Sequence, residues 1–260
     1  MRRALDILFP LLLAATVLAA WEAIVDVKQI PPYILPAPSA IFAALVQNWS
    51  SLSASMLVTI SVTLQGFLGA LIAAIALAIL FSQSRLAERA LYPYAVILQV
   101  TPMVAIAPLI LIWVGFDHID RALALIAGMI AFFPILSNAA QGLKSTDFNL
   151  LELTRLYGAS RWQTLVKVQM PSALPALLTG MKIGGVIALI GEVTAEFAAG
   201  SGTASGLAWR IVESGNRLEI ATLFAALALL ALTGILFFAA LSLLEWALLR
   251  RWHESAMARY

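Results

Sequence analysis

The sequence has no cysteine and only two histidines, His118 and His253. Without cysteine there are no disulfides, thiolate nucleophiles or thiolate metal sites. Both histidines lie outside the apolar stretches, so no histidine cluster can hold haem or metal within them. Charge is scarce as well. Asp, Glu, Lys and Arg make up 12% of the 260 residues, against about 25% in a soluble domain. Apolar residues make up 62%, and mean hydropathy is +0.94. A globule this apolar cannot cover itself with polar surface, which excludes a soluble enzyme. The net charge of +2 fits a membrane protein's positive-inside bias and does not point to nucleic-acid binding.

What is present is six apolar blocks, at about residues 4–25, 52–81, 91–114, 122–143, 174–199 and 220–249. Each is long enough to cross a bilayer at about 20 residues per span. None shows the strict alternation of a membrane β-strand. The expected fold is all-α: one membrane domain over 1–260 with six transmembrane helices. The second and sixth blocks exceed an upright span, so tilt or protruding ends are expected. The first block also fits a signal peptide, with Arg2 and Arg3 before it and Ala19-Ala20 within it. Its apolar run, continuing through Trp21 to Val25, favours a span.

Lysine and arginine set the orientation. With the N-terminus inside, the inner segments carry Arg2, Arg3, Arg85, Arg89, Lys144, Arg155, Arg161, Lys167, Arg250, Arg251 and Arg259. The outer segments carry Lys28, Arg121, Arg210 and Arg217. The bias places both termini in the cytoplasm. Lys182, near the inner end of the fifth block, is expected to snorkel. Of the outer loops, Asp26–Ser51 holds Pro31, Pro32, Pro36 and Pro38 and is expected to be extended along the membrane surface. Gly115–Asp120 is a tight acidic turn, and Ser201–Gly206 is rich in Gly and Ser. Trp21, Trp113, Trp246 and Trp252 fall near block ends, as interface anchors do.

The one long inner loop, 144–171, has its own pattern. Ser145, Thr146 and Asp147 are candidate N-caps. Leu150, Leu153 and Tyr157 then share one face of a short helix. Gly158 stands where a C-cap requires a left-handed residue. Ser160 and Gln163 fit a capping box for a second helix, which Pro171 is expected to end or redirect. Two roles fit such a pair: a connector lying on lipid headgroups, or a docking element seated in a partner's groove.

The residues Glu152, Gly158, Val168, Met170 and Pro171 carry a resemblance. Glu152, five residues, Gly158, nine residues and Val168-x-Met170-Pro171 resemble the EAA loop of ABC importer permeases. That family's pattern is Glu-Ala-Ala, three residues, Gly, nine residues and Ile-x-Leu-Pro; here Leu153 and Thr154 replace the two alanines. The stretch Thr101–Leu109 followed by Gly115, the stretch Pro171–Met181, and Glu196 with Gly206-Leu207 are similar to the nitrate, sulfonate and taurine branch. That branch also includes permeases for thiamine-pyrimidine precursors and riboflavin. Its sulfonate-type members often carry an Arg just before the Gly-Phe of the second span. Here Val62 precedes Gly66-Phe67 with no cation nearby in sequence, which tilts the expectation toward a vitamin precursor and away from a nitrate, sulfonate or taurine anion.

The resemblance implies the type I importer fold and a permease that is not itself an enzyme. Its implied partners are two cytoplasmic ABC ATPase subunits, a second permease subunit (identical or different), an extracytoplasmic solute-binding protein, and the lipid of a bacterial inner membrane. It implies no cofactor in this chain, since ATP and Mg would be bound by the ATPase. The sequence agrees, having no G-x-x-x-x-G-K-[ST] phosphate loop. Glu152, Leu153, Thr154, Arg155, Tyr157, Gly158, Ala159 and Pro171 are then the residues that couple to the ATPase.

Polar residues within the blocks are the pathway or gate candidates. Glu192 and Glu196 lie on one face of the fifth helix, and a charged group in lipid usually faces a bundle interior or water. Gln99 and Thr101, beside Pro102, and Asn138 are further candidates; interhelical hydrogen bonding is their structural alternative. Two other classes compete with the permease. An ion-coupled secondary transporter would need no ATPase. An intramembrane enzyme would need a histidine or paired aspartates in the membrane; only the Glu192 and Glu196 pair is available.

Overall fold

The computed structural model describes residues 2–199 and 205–250. They are helical, with no strand among them. Trp252, Arg251, Arg259 and most of the Ser201–Gly206 loop lie outside the described residues. Eleven α-helices follow in chain order: α1 (Arg2–Val27), α2 (Pro38–Gln47), α3 (Trp49–Gln83), α4 (Arg85–Val100), α5 (Met103–Val114), α6 (Ile119–Lys144), α7 (Phe148–Leu156), α8 (Arg161–Thr164), α9 (Met170–Ala199), α10 (Leu207–Asn216) and α11 (Ile220–Leu249). Among the described residues five helices are long and apolar enough to cross a membrane, and a sixth if α4 and α5 count as one bent span.

Two expectations about spans and loops need correction. The third block is broken, not a single rod. Its halves α4 and α5 meet at 101° across Thr101-Pro102. Proline offers no N–H and drives the residue before it out of the helical region. Thr101 is accordingly extended, at φ −71° and ψ 127°. The outer loop Asp26–Ser51 is not extended throughout, because Pro38 opens α2 at a first-turn position where its missing N–H costs nothing.

The chain forms two compact units. The first comprises Met1–Val58 and Ser205–Ala231. Its core gathers Leu52, Leu207, Ala225, Ala226 and Leu229. Trp21 stands edge-on to Phe224, with ring centroids 6.0 Å apart. Arg210 Nε donates to Ser55 Oγ at 2.9 Å and pairs with Glu213 at 2.7 Å.

The second unit comprises Thr59–Ala204 and Leu232–Tyr260. Its spine is the α6/α9 pair, brought close by small residues. A Cβ on Gly180 would lie 2.7 Å from Asn138 Cβ, and one on Gly142 would lie 2.8 Å from Ala176 Cβ. Helices in lipid associate through such close packing. Lys182 does not snorkel. Its Nζ pairs with Glu245 Oε2 of α11 at 2.5 Å, with both side chains about four-fifths buried.

Candidate functional site

The inner loop folds as two capped helices. Asp147, of the three candidate caps, accepts from the Asn149 N–H at 2.7 Å and starts α7. Gly158 takes φ +67°. Its N–H donates to the Arg155 carbonyl and that of Ala159 to the Thr154 carbonyl, both at 3.0 Å. This paired bonding closes a helix on a left-handed residue. No atom stands within 4 Å of where a Gly158 Cβ would be, so glycine is needed there for backbone freedom and not for space. Ser160 and Gln163 form the expected capping box at the start of α8. Thr154 has a use an alanine could not serve, since its Oγ1 receives the Thr164 hydroxyl at 3.3 Å and ties α8 to α7.

Pro171 does not end the second helix. From Arg161 to Ala199 the chain is one continuous helix, with a π-helical segment at Leu165–Gln169. A proline ring clashes with the carbonyl four residues earlier. That carbonyl belongs to Lys167, inside the π segment, and the wider turn moves it aside.

α7 buries none of its residues. Leu153, Leu156 and Tyr157 are exposed, the last two by 83% and 82%. Glu152 pairs with Arg155 at 2.5 Å on the surface, an interaction that contributes about 0–1 kcal/mol. A partly exposed apolar stripe on a short, capped helix is what a docking element presents.

The span candidates separate. Glu192 and Glu196 are buried, at 0% and 1% exposure, so Glu196 does not sit at a wet helix end. Both carboxyl oxygens of Glu192 lack a hydrogen-bond partner, a costly state for a buried carboxyl. Asn138 donates to the Pro134 carbonyl of its own helix at 2.8 Å and packs on Gly180 of α9, so its hydrogen bond is intrahelical and not between helices. Thr101 donates to the Ile97 carbonyl at 2.6 Å at the bend. Gln99 is exposed on α4.

None of these five lines an open groove of about 510 Å³ in the second unit. Its walls are Gln65 and Gly69 of α3, Leu98 of α4, and Arg121, Leu125 and Phe132 of α6, among others. It lies beside a backbone-to-backbone crossing. A Cβ on Gly66 would stand 2.5 Å from the Ala124 carbonyl oxygen, and one on Gly128 would stand 2.8 Å from the Gly66 carbonyl oxygen. No cation lies near Gly66-Phe67 along the sequence, but one lines the groove that Gly66 borders. Arg121 reaches the same groove from another helix. The sequence signal was the Gly66 and Gly128 pair, which spacing alone does not join.

Residues 66–251 match the family model described as binding-protein-dependent transport system inner membrane component. The riboflavin transport system permease protein RibX of Chloroflexus aurantiacus is 36% identical over 92% of this chain and 87% of its own. The formylaminopyrimidine transport permease protein ThiX of Halalkalibacterium halodurans is 32% identical over 96% of this chain and 98% of its own. Other relatives are named for aliphatic sulfonate, taurine and nitrate transport. Among solved structures, an amino acid ABC transporter superposes with a TM-score of 0.63 at 16% identity, over 78% of this chain and 97% of that one. That likeness shows the type I importer permease fold.

Proposed function

This chain belongs to the family of binding-protein-dependent transport system inner membrane components, and from that premise we propose how it works as the permease subunit of an ABC importer. It lines a substrate pathway across a bacterial cytoplasmic membrane, with both termini inside. A second permease subunit completes the pathway. Two ABC ATPase subunits bind below, and a solute-binding protein delivers substrate from outside. ATP and Mg belong to the ATPase.

The observation that carries the reading is the capped, exposed α7. It is held by the Asp147 cap and the Gly158 turn and shows Leu153, Leu156 and Tyr157 outward. A lever that transmits ATP-driven closure has to be stiff and capped at both ends. Glu152, Leu153, Thr154, Arg155, Tyr157, Gly158 and Ala159 form the coupling element, and Pro171 marks its join to the fifth span. Glu152 is assigned a contact on the ATPase, because its surface pair with Arg155 contributes little. Co-purification tests this. Wild-type permease co-expressed with its ATPase brings ATPase activity with it. Glu152→Lys and Gly158→Pro insert normally and bring little. If both variants retain the activity, the loop is a connector.

The substrate is a small organic solute of the vitamin-precursor type, riboflavin or a thiamine pyrimidine. The apolar walls around Leu98, Leu125 and Phe132 and the likeness to RibX and ThiX support it. One observation favours a second reading, a nitrate-, sulfonate- or taurine-like anion. Arg121 lines that groove and, among the described residues, makes no ion pair. Glu192, Glu196, Gln99, Thr101 and Asn138 are assigned to the gate around the pathway, not to the groove wall.

A further inference from the structure

From Leu232 onward α11 belongs to the second unit, and one side of it is bare. Ile235, Leu236, Phe238 and Leu243 are exposed. Its other side lies antiparallel on α9 over about two turns. A Cβ on Gly185 would stand 2.5 Å from Leu241 Cδ1 and 2.7 Å from Phe237 Cε1. A Cβ on Gly234 would stand 3.2 Å from Leu189 Cδ2. Nearer the α8 end, Lys182 Nζ meets Glu245 Oε2 at 2.5 Å. Phe237 also stands edge-on to Phe67 of α3, with ring centroids 5.6 Å apart. Phe67 is buried and follows Gly66 of the groove wall. α11 therefore touches both the span that continues α8 and the α3 side of the groove.

Apolar contacts alone hold such a helix in register only weakly. Lipid tails are as apolar as Leu241 or Phe237, so no hydrophobic force opposes sliding. An ion pair behaves differently. A slip of one turn, about 5.4 Å, parts the two charges and leaves each alone in apolar surroundings, which is costly. A buried pair adds little net stability, since two apolar side chains of similar volume do as well. Register is the property that such a replacement would lose.

We propose that Lys182 and Glu245 are positioning residues for transport, which lock α11 to α9 so that movement of the lever reaches the α3 wall of the groove. The inference rests on the coupling reading of α7. Arg161 to Ala199 is one continuous helix, so a displacement of α8 is carried to Lys182. With the pair intact, α11 travels with α9, and Phe237 passes the shift to Phe67. Without it, α9 slides past α11 and the α3 wall lags behind. Neither charged residue lines the groove itself.

The test reads the groove directly, in the permease reconstituted with its ATPase. Gly69→Cys places a thiol in open space on the α3 wall, and the chain has no other cysteine. An environment-sensitive maleimide dye there is expected to shift its emission when ATP is added. With K182M/E245M added, the ATP-driven shift is expected to fall roughly tenfold, a coupling loss within the usual range. ATP hydrolysis continues, and Tm equals or exceeds that of wild type. The reversed pair, K182E/E245K, restores most of the shift. A pair that serves stability alone would move Tm and leave the shift per inserted permease unchanged. A full shift in K182M/E245M overturns the proposal, as does a reversed pair that inserts and stays silent. If K182M/E245M does not insert, K182Q/E245Q takes its place under the same criterion. A dye that ignores ATP while ATPase activity still co-purifies with the permease overturns this inference and leaves the coupling reading standing. Loss of co-purification from wild type would instead sink the coupling reading.

Discussion

Gly66 and Gly69 are three residues apart on α3 and have different duties. A Cβ on Gly66 meets backbone of α6 at 2.5 Å, and backbone cannot rotate away. Gly66→Ala is expected to separate the two helices at a cost of about 1–3 kcal/mol, read as a lower Tm of the permease in detergent. A Cβ on Gly69 meets nothing within 4 Å, and the residue borders the groove. Gly69→Leu is expected to leave Tm unchanged and to slow uptake by filling the hollow. Arg121 decides between the two substrate readings. Arg121→Gln removes a charge-assisted hydrogen bond of about 1.5–3 kcal/mol from an anionic solute, so uptake of an anion falls about tenfold or more. Uptake of a neutral pyrimidine stays near wild type. Reconstituted uptake of butanesulfonate and of a formylaminopyrimidine reads the two arms.

At the scale of elements, the join between lever and span carries a mechanical prediction. The π-helical turn before Pro171 absorbs an extra residue within one continuous helix. Pro171→Ala restores an N–H and removes the ring clash, so the turn can tighten to α geometry. That shift turns α8, and α7 with it, by about 100° relative to the fifth span. Expected is a properly inserted permease with unchanged helix content by circular dichroism, but with ATP hydrolysis no longer matched to uptake. Much at this scale was legible in the sequence. The spans come from one-dimensional hydropathy, and Gly158 and the Ser160 box come from local backbone rules. The break at Thr101-Pro102 was not, because the apolar run continues on both sides and hydropathy does not register direction. Nor were the Lys182–Glu245 pair, 63 residues apart, or the sharing of one groove by Arg121 and Gln65. Both depend on which helices cross, and no local pattern encodes that. The π turn escaped for a different reason: proline ordinarily ends a helix, and only a widened turn lets it continue.

For the whole molecule, everything turns on which end of the spans faces the ATP. The proposed orientation, argued from the cation bias, puts α7 and α8 inside, and the coupling reading needs them there. The absence of cysteine makes the test clean, since any introduced thiol is the sole target. Ser160→Cys sits in the exposed turn between α7 and α8, Lys28→Cys follows α1, and Glu219→Cys precedes α11; all three positions are exposed. With a membrane-impermeant maleimide on intact spheroplasts, Lys28→Cys and Glu219→Cys are expected to label at once. Ser160→Cys is expected to label only after permeabilisation. Co-expressed ATPase adds a second signature. It slows labelling of Ser160→Cys in permeabilised membranes by covering α7, and leaves Glu219→Cys unaffected. Labelling of Ser160→Cys from outside would put the lever where there is no ATP. The orientation and the coupling role would then fall together, while the helix packing at Gly66, Gly128 and Gly180 would stand.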